Sequence, residues 1–188
     1  MIRSCADSIS KVLRLLVCIL AICNIGCSKQ EQPTNDLDKL PTHVDGASDR
    51  AITALQGRLN KAGVSILTLG QEYMISIPSS LLFATQSPHL TWESYKLLND
   101  VACYLQQFRK ITVNVTAFSS KYVSVKREHA LTLARAQAVS DYLWSQGVDG
   151  RFIFTQGAGS DKPVLATKDH SDLSPNSRIE ITFRRAIA

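Results

Sequence analysis

No C-x-x-C pair occurs in the 188 residues, and the five cysteines are badly distributed for pairing. Cys5, Cys18, Cys23 and Cys27 crowd the start of the chain and leave Cys103 alone in the remainder. That pattern supports neither a zinc site nor a disulfide framework. Cys103 falls on the apolar side of an expected helix, where a thiol behaves as a small buried hydrophobe. His43, His89, His129 and His170 are dispersed, with no H-E-x-x-H or other ligand spacing. There is no G-x-S-x-G nucleophile elbow. Asp141 and Asp149 flank a helix end rather than forming an acid–base pair. Gly157-Ala158-Gly159 lacks the third glycine of a dinucleotide fingerprint and the G-K-S/T of a P-loop. No basic stripe carries interleaved aromatics, which argues against nucleic acid. The expectation is a chain that is not an enzyme and holds neither metal nor cofactor.

Long apolar runs are also missing. The longest, Leu15 to Ile22, is too short to cross a hydrocarbon core of roughly 30 Å. Arg3, Lys11 and Arg14 precede it and Gly26-Cys27 closes it, which describes a secretory leader over residues 1–26. The ending Asn24-Ile25-Gly26-Cys27 resembles a bacterial lipobox, with Asn24 where leucine is preferred. In that reading Cys27 carries the lipid and becomes the mature N-terminus; Cys23, behind bulky Ile22, is the poorer candidate. An ordinary secretory leader with an incidental cysteine is the other reading. No aspartate follows Cys27, which favours outer-membrane anchoring over inner-membrane retention. Removing the leader takes away three basic residues and one acidic residue, lowering the formal net charge from +5 to +3. That mild excess is compatible with anionic wall or lipid surfaces.

The full sequence is 45% hydrophobic, enough for a sizeable core. Residues 27–49 are polar and contain two prolines, as expected of the lipidated cysteine and a flexible tether. Its 22 residues after the cysteine would reach on the order of 25 Å. A single domain is expected over residues 50–188. Asp49 can cap a helix with Ala51, Ile52, Leu55 and Leu59 on one face and Gly63 at its end. Val64 to Leu69 and Glu72 to Ile77 read as a hairpin around Gly70-Gln71. Thr91 can cap a second helix, with Trp92, Tyr95, Leu98, Ala102 and Leu105 at helical spacing. Core or helix–sheet packing is the common role for such a stripe.

Ile111, Val113 and Val115 alternate with polar residues as in a half-buried strand. After the turn Ser119-Ser120-Lys121, the residues Leu131, Ala134, Ala138 and Val139 recur at helical spacing, with Arg135 beside them. A strand, a small polar turn and a helix bearing one arginine outline a small pocket. Residues 151–156 form a short apolar strand, and 164–175 a polar excursion. Ile179, Ile181 and Phe183 alternate along a final amphipathic strand.

From Leu131 to Val139, with Asp141-Tyr142-Leu143 and Gln146-Gly147-Val148, the chain resembles the L-S-x-x-R-A-x-x-V…Y-L…G-V segment of OmpA-like domains. Leu81-Leu82-Phe83 with Leu90, Gly157 to Pro163, and Asn176 to Ile181 match further motifs of that family. The resemblance covers about Val64 to Arg185. It implies a two-layer α+β sandwich, a mixed β-sheet with helices mainly on one face. In that family the arginine and an aspartate fifteen residues earlier, in a G-H-T-D turn, grip the diaminopimelate of peptidoglycan. Arginine meets a carboxylate at two points while the acid meets the ammonium. Arg135 is kept; Ser120, fifteen residues earlier, replaces the acid.

Ser120, Phe118, Glu128, Arg135 and Arg178 are therefore the candidate pocket residues. Losing one charge-assisted hydrogen bond costs about 1.5–3 kcal/mol, or roughly ten- to a hundred-fold in affinity. Glu128 either returns a carboxylate to the pocket or is only a favourable acid at a helix N-terminus. Arg135 would otherwise bond backbone carbonyls around the 117–120 turn. Two functions follow. The first is a structural subunit of an envelope-spanning machine, since the whole chain also resembles the short OmpA-like lipoproteins of Dot/Icm type IVB secretion systems. Its partners would be other envelope lipoproteins and subunits of a secretion core complex, with weak peptidoglycan contact. The second is a non-covalent tether between outer membrane and cell wall.

Overall fold

Ser48 starts the first helix of the domain. Its Oγ accepts from Ala51 N at 3.2 Å, so Ser48 is the cap and Asp49 supplies the favourable acid of the first turn. In the computed structural model the described residues are 48–122, 124–166 and 171–186. The leader, Cys27 and nearly all of the tether lie outside them. Helix α1 (Asp49–Lys61) buries Ile52, Leu55 and Leu59, and Gly63 at φ +88° turns the chain out of it. Strands β1 (Ser65–Leu69) and β2 (Glu72–Pro78) pair as the expected hairpin, with Gly70 in a left-handed conformation between them. Helix α2 (Ser94–Gln106), strand β3 (Lys110–Phe118) and helix α3 (Val125–Ser145) follow. Strands β4 (Ile153–Gly157) and β5 (Arg178–Arg185) complete the chain.

One mixed sheet runs in the order β1-β2-β5-β3-β4. β5 enters the middle antiparallel to both neighbours, whereas β4 lies parallel to β3. A parallel pair needs a crossover, and α3 provides it. Alternation sorts the two faces. Ile75, Ile77, Val113, Val115, Ile179, Ile181 and Phe183 face the helices and meet Leu55, Leu59, Leu98, Leu105, Val139 and Leu143 in one core. The opposite face carries the cross-sheet row Leu67, Met74, Thr182, Asn114 and Phe154. This is the two-layer α+β architecture expected, with helices on one face.

Three expectations about side chains need correcting. Cys103 is exposed, not a buried hydrophobe: it lies on the far side of α2 from the arc held by Leu98, Val101, Ala102 and Leu105. Trp92 is 85% exposed. Thr91 O accepts both the amide and the hydroxyl of Ser94, so the helix begins after Trp92 and leaves it in the preceding turn. On α3 the buried face is rotated from the expected stripe. Ala134 is exposed, and Glu128, Thr132, Arg135, Ala136, Val139 and Leu143 point inward. The N-terminal half of that face is polar because it covers a polar site rather than the hydrophobic core.

Candidate functional site

The loops that ring the N-terminal half of α3 all terminate on two buried charged side chains, Arg135 and Glu128. Arg135 has no exposed surface. Its guanidinium Nη1 and Nη2 donate to Asp172 Oδ1 and Oδ2 at 3.1 and 3.0 Å, the parallel two-point geometry that arginine forms with a carboxylate. Nε donates to Ser87 O at 2.9 Å, and the Phe83 ring lies 5.0 Å from the guanidinium carbon. The expected bonds to carbonyls of the 117–120 turn are therefore not what holds it. An internal carboxylate, from the segment between β4 and β5, occupies the fork.

Asp172 is itself fully engaged. Gln86 N donates to Oδ2 at 2.7 Å and the Tyr122 hydroxyl to Oδ1 at 2.9 Å. Gln86 adopts φ +56°, a costly conformation for a residue with a side chain, and that conformation accompanies its amide's bond to the carboxylate. Burial alone would raise the Asp172 pKa. The bonds from Arg135, Gln86 and Tyr122 outweigh it and hold the carboxyl below its ordinary value. Burial, with the bond to Asp172 second, pushes the Tyr122 phenol up to about 12. The cluster is thus ionised at Asp172 and neutral at Tyr122 across the neutral range.

Ser120 is buried and its polar atoms are engaged within the protein. Its Oγ donates to Ser171 O at 2.9 Å and lies 3.0 Å from Ser177 Oγ, while its amide donates to Ser177 Oγ. Ser177 thereby serves as a buried hydroxyl joint between the turn and β5. We expect Ser120→Asp to lower stability by about 1–3 kcal/mol, because a buried carboxylate would face the Ser171 carbonyl where the serine hydroxyl now donates. A urea midpoint equal to that of the unsubstituted protein would refute this.

Glu128 does not face Arg135. Its Oε1 accepts from Tyr122 N and its Oε2 from the Ser160 hydroxyl, both at 2.6 Å. It pins two loops to the first turn of α3, which is more than a favourable charge at a helix end. Phe118 is buried beneath Arg178, whose guanidinium carbon stands 4.0 Å from the ring centroid. Arg178 also donates to Glu180 at 2.7 Å and to the Lys162 and Asn176 carbonyls. Phe118 and Arg178 therefore form a separate stack, with none of these bonds reaching Arg135. Cys27 lies outside the described residues.

Sequence reasoning missed Asp172, the residue on which the site turns. It stood in what read as a polar excursion, 37 positions from the arginine it holds. The usable signal was indirect: a buried arginine that has lost its usual acid requires another carboxylate, and few are within reach.

The arrangement defines a two-layer α+β domain with a buried arginine ringed by loops. Residues 82–178 match the model of the OmpA family, and the chain belongs to that family. A probable lipoprotein of Escherichia coli K12, YiaD, is 29% identical over 129 residues, spanning 69% of this chain and 59% of that protein's length. The peptidoglycan-associated lipoprotein of Mesorhizobium japonicum is 26% identical over 184 residues, 98% of both chains. Among solved structures, the cell wall anchor of the type VI secretion system from Pseudomonas aeruginosa superposes with a TM-score of 0.64. It is 25% identical and covers 72% of this chain and 97% of its own.

Proposed function

We propose that this chain is a lipoprotein anchored through Cys27 in the outer membrane, with its OmpA-like domain in the periplasm. It serves there as a structural subunit of an envelope-spanning secretion machine. The observation that carries this reading is the Arg135–Asp172 pair. A wall amino acid would have to displace a buried carboxylate before it could reach the arginine. Breaking such a pair costs about 3–5 kcal/mol, which is roughly two to three and a half decades of affinity. Its ammonium would then meet a serine at position 120 instead of an acid. Partner proteins are left as the main source of binding energy, and the type IVB placement is supported by the sequence resemblance alone.

A second reading, the wall tether, is favoured by the similarity to the peptidoglycan-associated lipoprotein of Mesorhizobium and to the cell wall anchor of Pseudomonas. Sedimentation of the full chain with purified sacculi, with and without free diaminopimelate, discriminates the two. The scaffold reading expects no sedimentation above background and co-purification with other envelope proteins. Strong sedimentation that free diaminopimelate competes away would return the tether to first place. Cys27→Ser should release the domain into the soluble periplasmic fraction; retention in the membrane fraction would remove the anchor from the proposal.

A further inference from the structure

The far edge of the sheet carries a second constructed feature, remote from the Arg135 cluster. Among the described residues β4 pairs only with β3, so its outer edge is open. Its sequence, Ile153-Phe154-Thr155-Gln156-Gly157, contains no charge and no proline, and its pairing with β3 shows no bulge. These are the devices that ordinarily protect a sheet edge. Thr155 opposes core-facing Val115 and so points to the helix side, yet it is exposed. The layer of helices therefore stops short of the edge.

The gap is a groove of ≈ 480 Å³ between β4 and α3. Gln137, Ser140, Asp141 and Trp144 line its helix wall, a stripe at three- and four-residue steps, and Ile153 and Thr155 line its strand wall. Ser140 Oγ is buried, with the residue only 6% exposed, and has no hydrogen-bond partner. Buried hydroxyls without partners are rare. Two further charged residues line the groove, Asp149 and Arg151, and they neutralise each other at 2.7 Å. Asp141, with no ion pair among the described residues, is left as the uncompensated charge, beside a Trp144 ring that is 66% exposed.

We propose that β4 and this groove receive an extended segment of a partner protein as a sixth strand, with a basic side chain set against Asp141 and an apolar one against Trp144. An open edge supplies main-chain hydrogen bonds to any sequence, while the flanking groove supplies the choice of side chain. The single acid makes that choice cationic. Parallel β3 and β4 place α3 alongside the edge, so strand and helix form the two walls that such docking requires. This inference deepens the scaffold reading and rests on it for its biological meaning, but the groove is tested by itself.

The probe is a fluorescent six-residue peptide alternating valine with threonine around one central lysine, titrated into the full lipidated chain in detergent. Saturable binding is expected, weakened roughly tenfold when the lysine is replaced by glutamate. Asp141→Lys should reverse that preference. Methylating the backbone nitrogens along one edge of the peptide should abolish binding, and methylating those along the other should not. No saturable binding, equal binding of the lysine and glutamate peptides, or indifference to methylation on both edges would each overturn the proposal. A dimer of the full chain that Asp141→Lys dissolves would also overturn it, by showing a second copy to be the occupant. None of these outcomes bears on sacculus sedimentation, so failure here is distinguishable from failure of the scaffold reading.

Discussion

Asp172→Asn should lose about 3–5 kcal/mol of folding free energy, because the substitution keeps the shape and removes the charge that Arg135 needs. Arg135 has no exposed surface, so its guanidinium cannot turn to water when the carboxylate goes. The amide that replaces it offers one acceptor and presents a donor to a donor. Domains of this size hold about 5–15 kcal/mol in total, so a fifth or more of the stability is at stake. The measurement is the urea midpoint at constant slope. Arg135→Met combined with Asp172→Leu should cost far less than the sum of the single changes, since an apolar pair leaves no buried charge. Additive losses would mean that the two side chains are not energetically coupled.

The same pair fixes the pH response. The folded Asp172 pKa is depressed below its ordinary value of 3.8, so its contribution is present above that value and is lost as acid protonates the folded form. Tyr122 works in the opposite direction. Its raised value of about 12 means that its contribution is whole below pH 10 and lost as pH climbs toward 12. A stability plateau bounded by these two titrations is expected, and Asp172→Asn should flatten the acid limb.

Gly157→Ala is expected to be the other severe substitution. A methyl at this position would overlap the backbone nitrogen of Leu133 and stand 2.7 Å from its Cα. The obstacle is helix backbone rather than the end of a flexible side chain, so α3 would have to move bodily off β4. Overpacking typically costs about 1–3 kcal/mol; a rigid obstacle puts this case at or above the top of that range. For a domain of this size the melting temperature should fall by roughly 10 °C. A loss under about 2 °C would mean that α3 and β4 separate easily. Gly57, with nothing near its absent side chain, is the control, where alanine in α1 should be neutral or mildly stabilising.

The layers of the fold were legible because each was written locally. Period-two alternation marked the strands, Gly63 and Gly70 marked their turns, and the apolar residues of α1 fell at helical steps. The site was less legible, because its logic is a contact between distant segments. Arg135 and Ser120 were found through the resemblance to the OmpA-like motif, but what fills the arginine comes from Asp172, 37 positions further on. The face of α3 was misjudged for a related reason. Hydrophobic periodicity cannot register a helix whose inner surface is partly Glu128, Thr132 and Arg135. Trp92 was misplaced because the cap came two residues late, and a shift of two residues turns a helical position through about 200°.

Arg135 and Asp172 also constrain how this domain could change. Altering either residue alone passes through a destabilised protein, because each leaves the other's charge stranded in the interior. An acid restored at position 120 gains nothing while the arginine is occupied, and freeing the arginine is costly while position 120 stays neutral. Freeing Arg135 for an outside carboxylate and placing an acid at position 120 therefore needs at least two substitutions, with both orders passing through an inferior intermediate. The closed pair is a one-way valve on sequence space, and the domain's surfaces are the easier ground on which new contacts can be built.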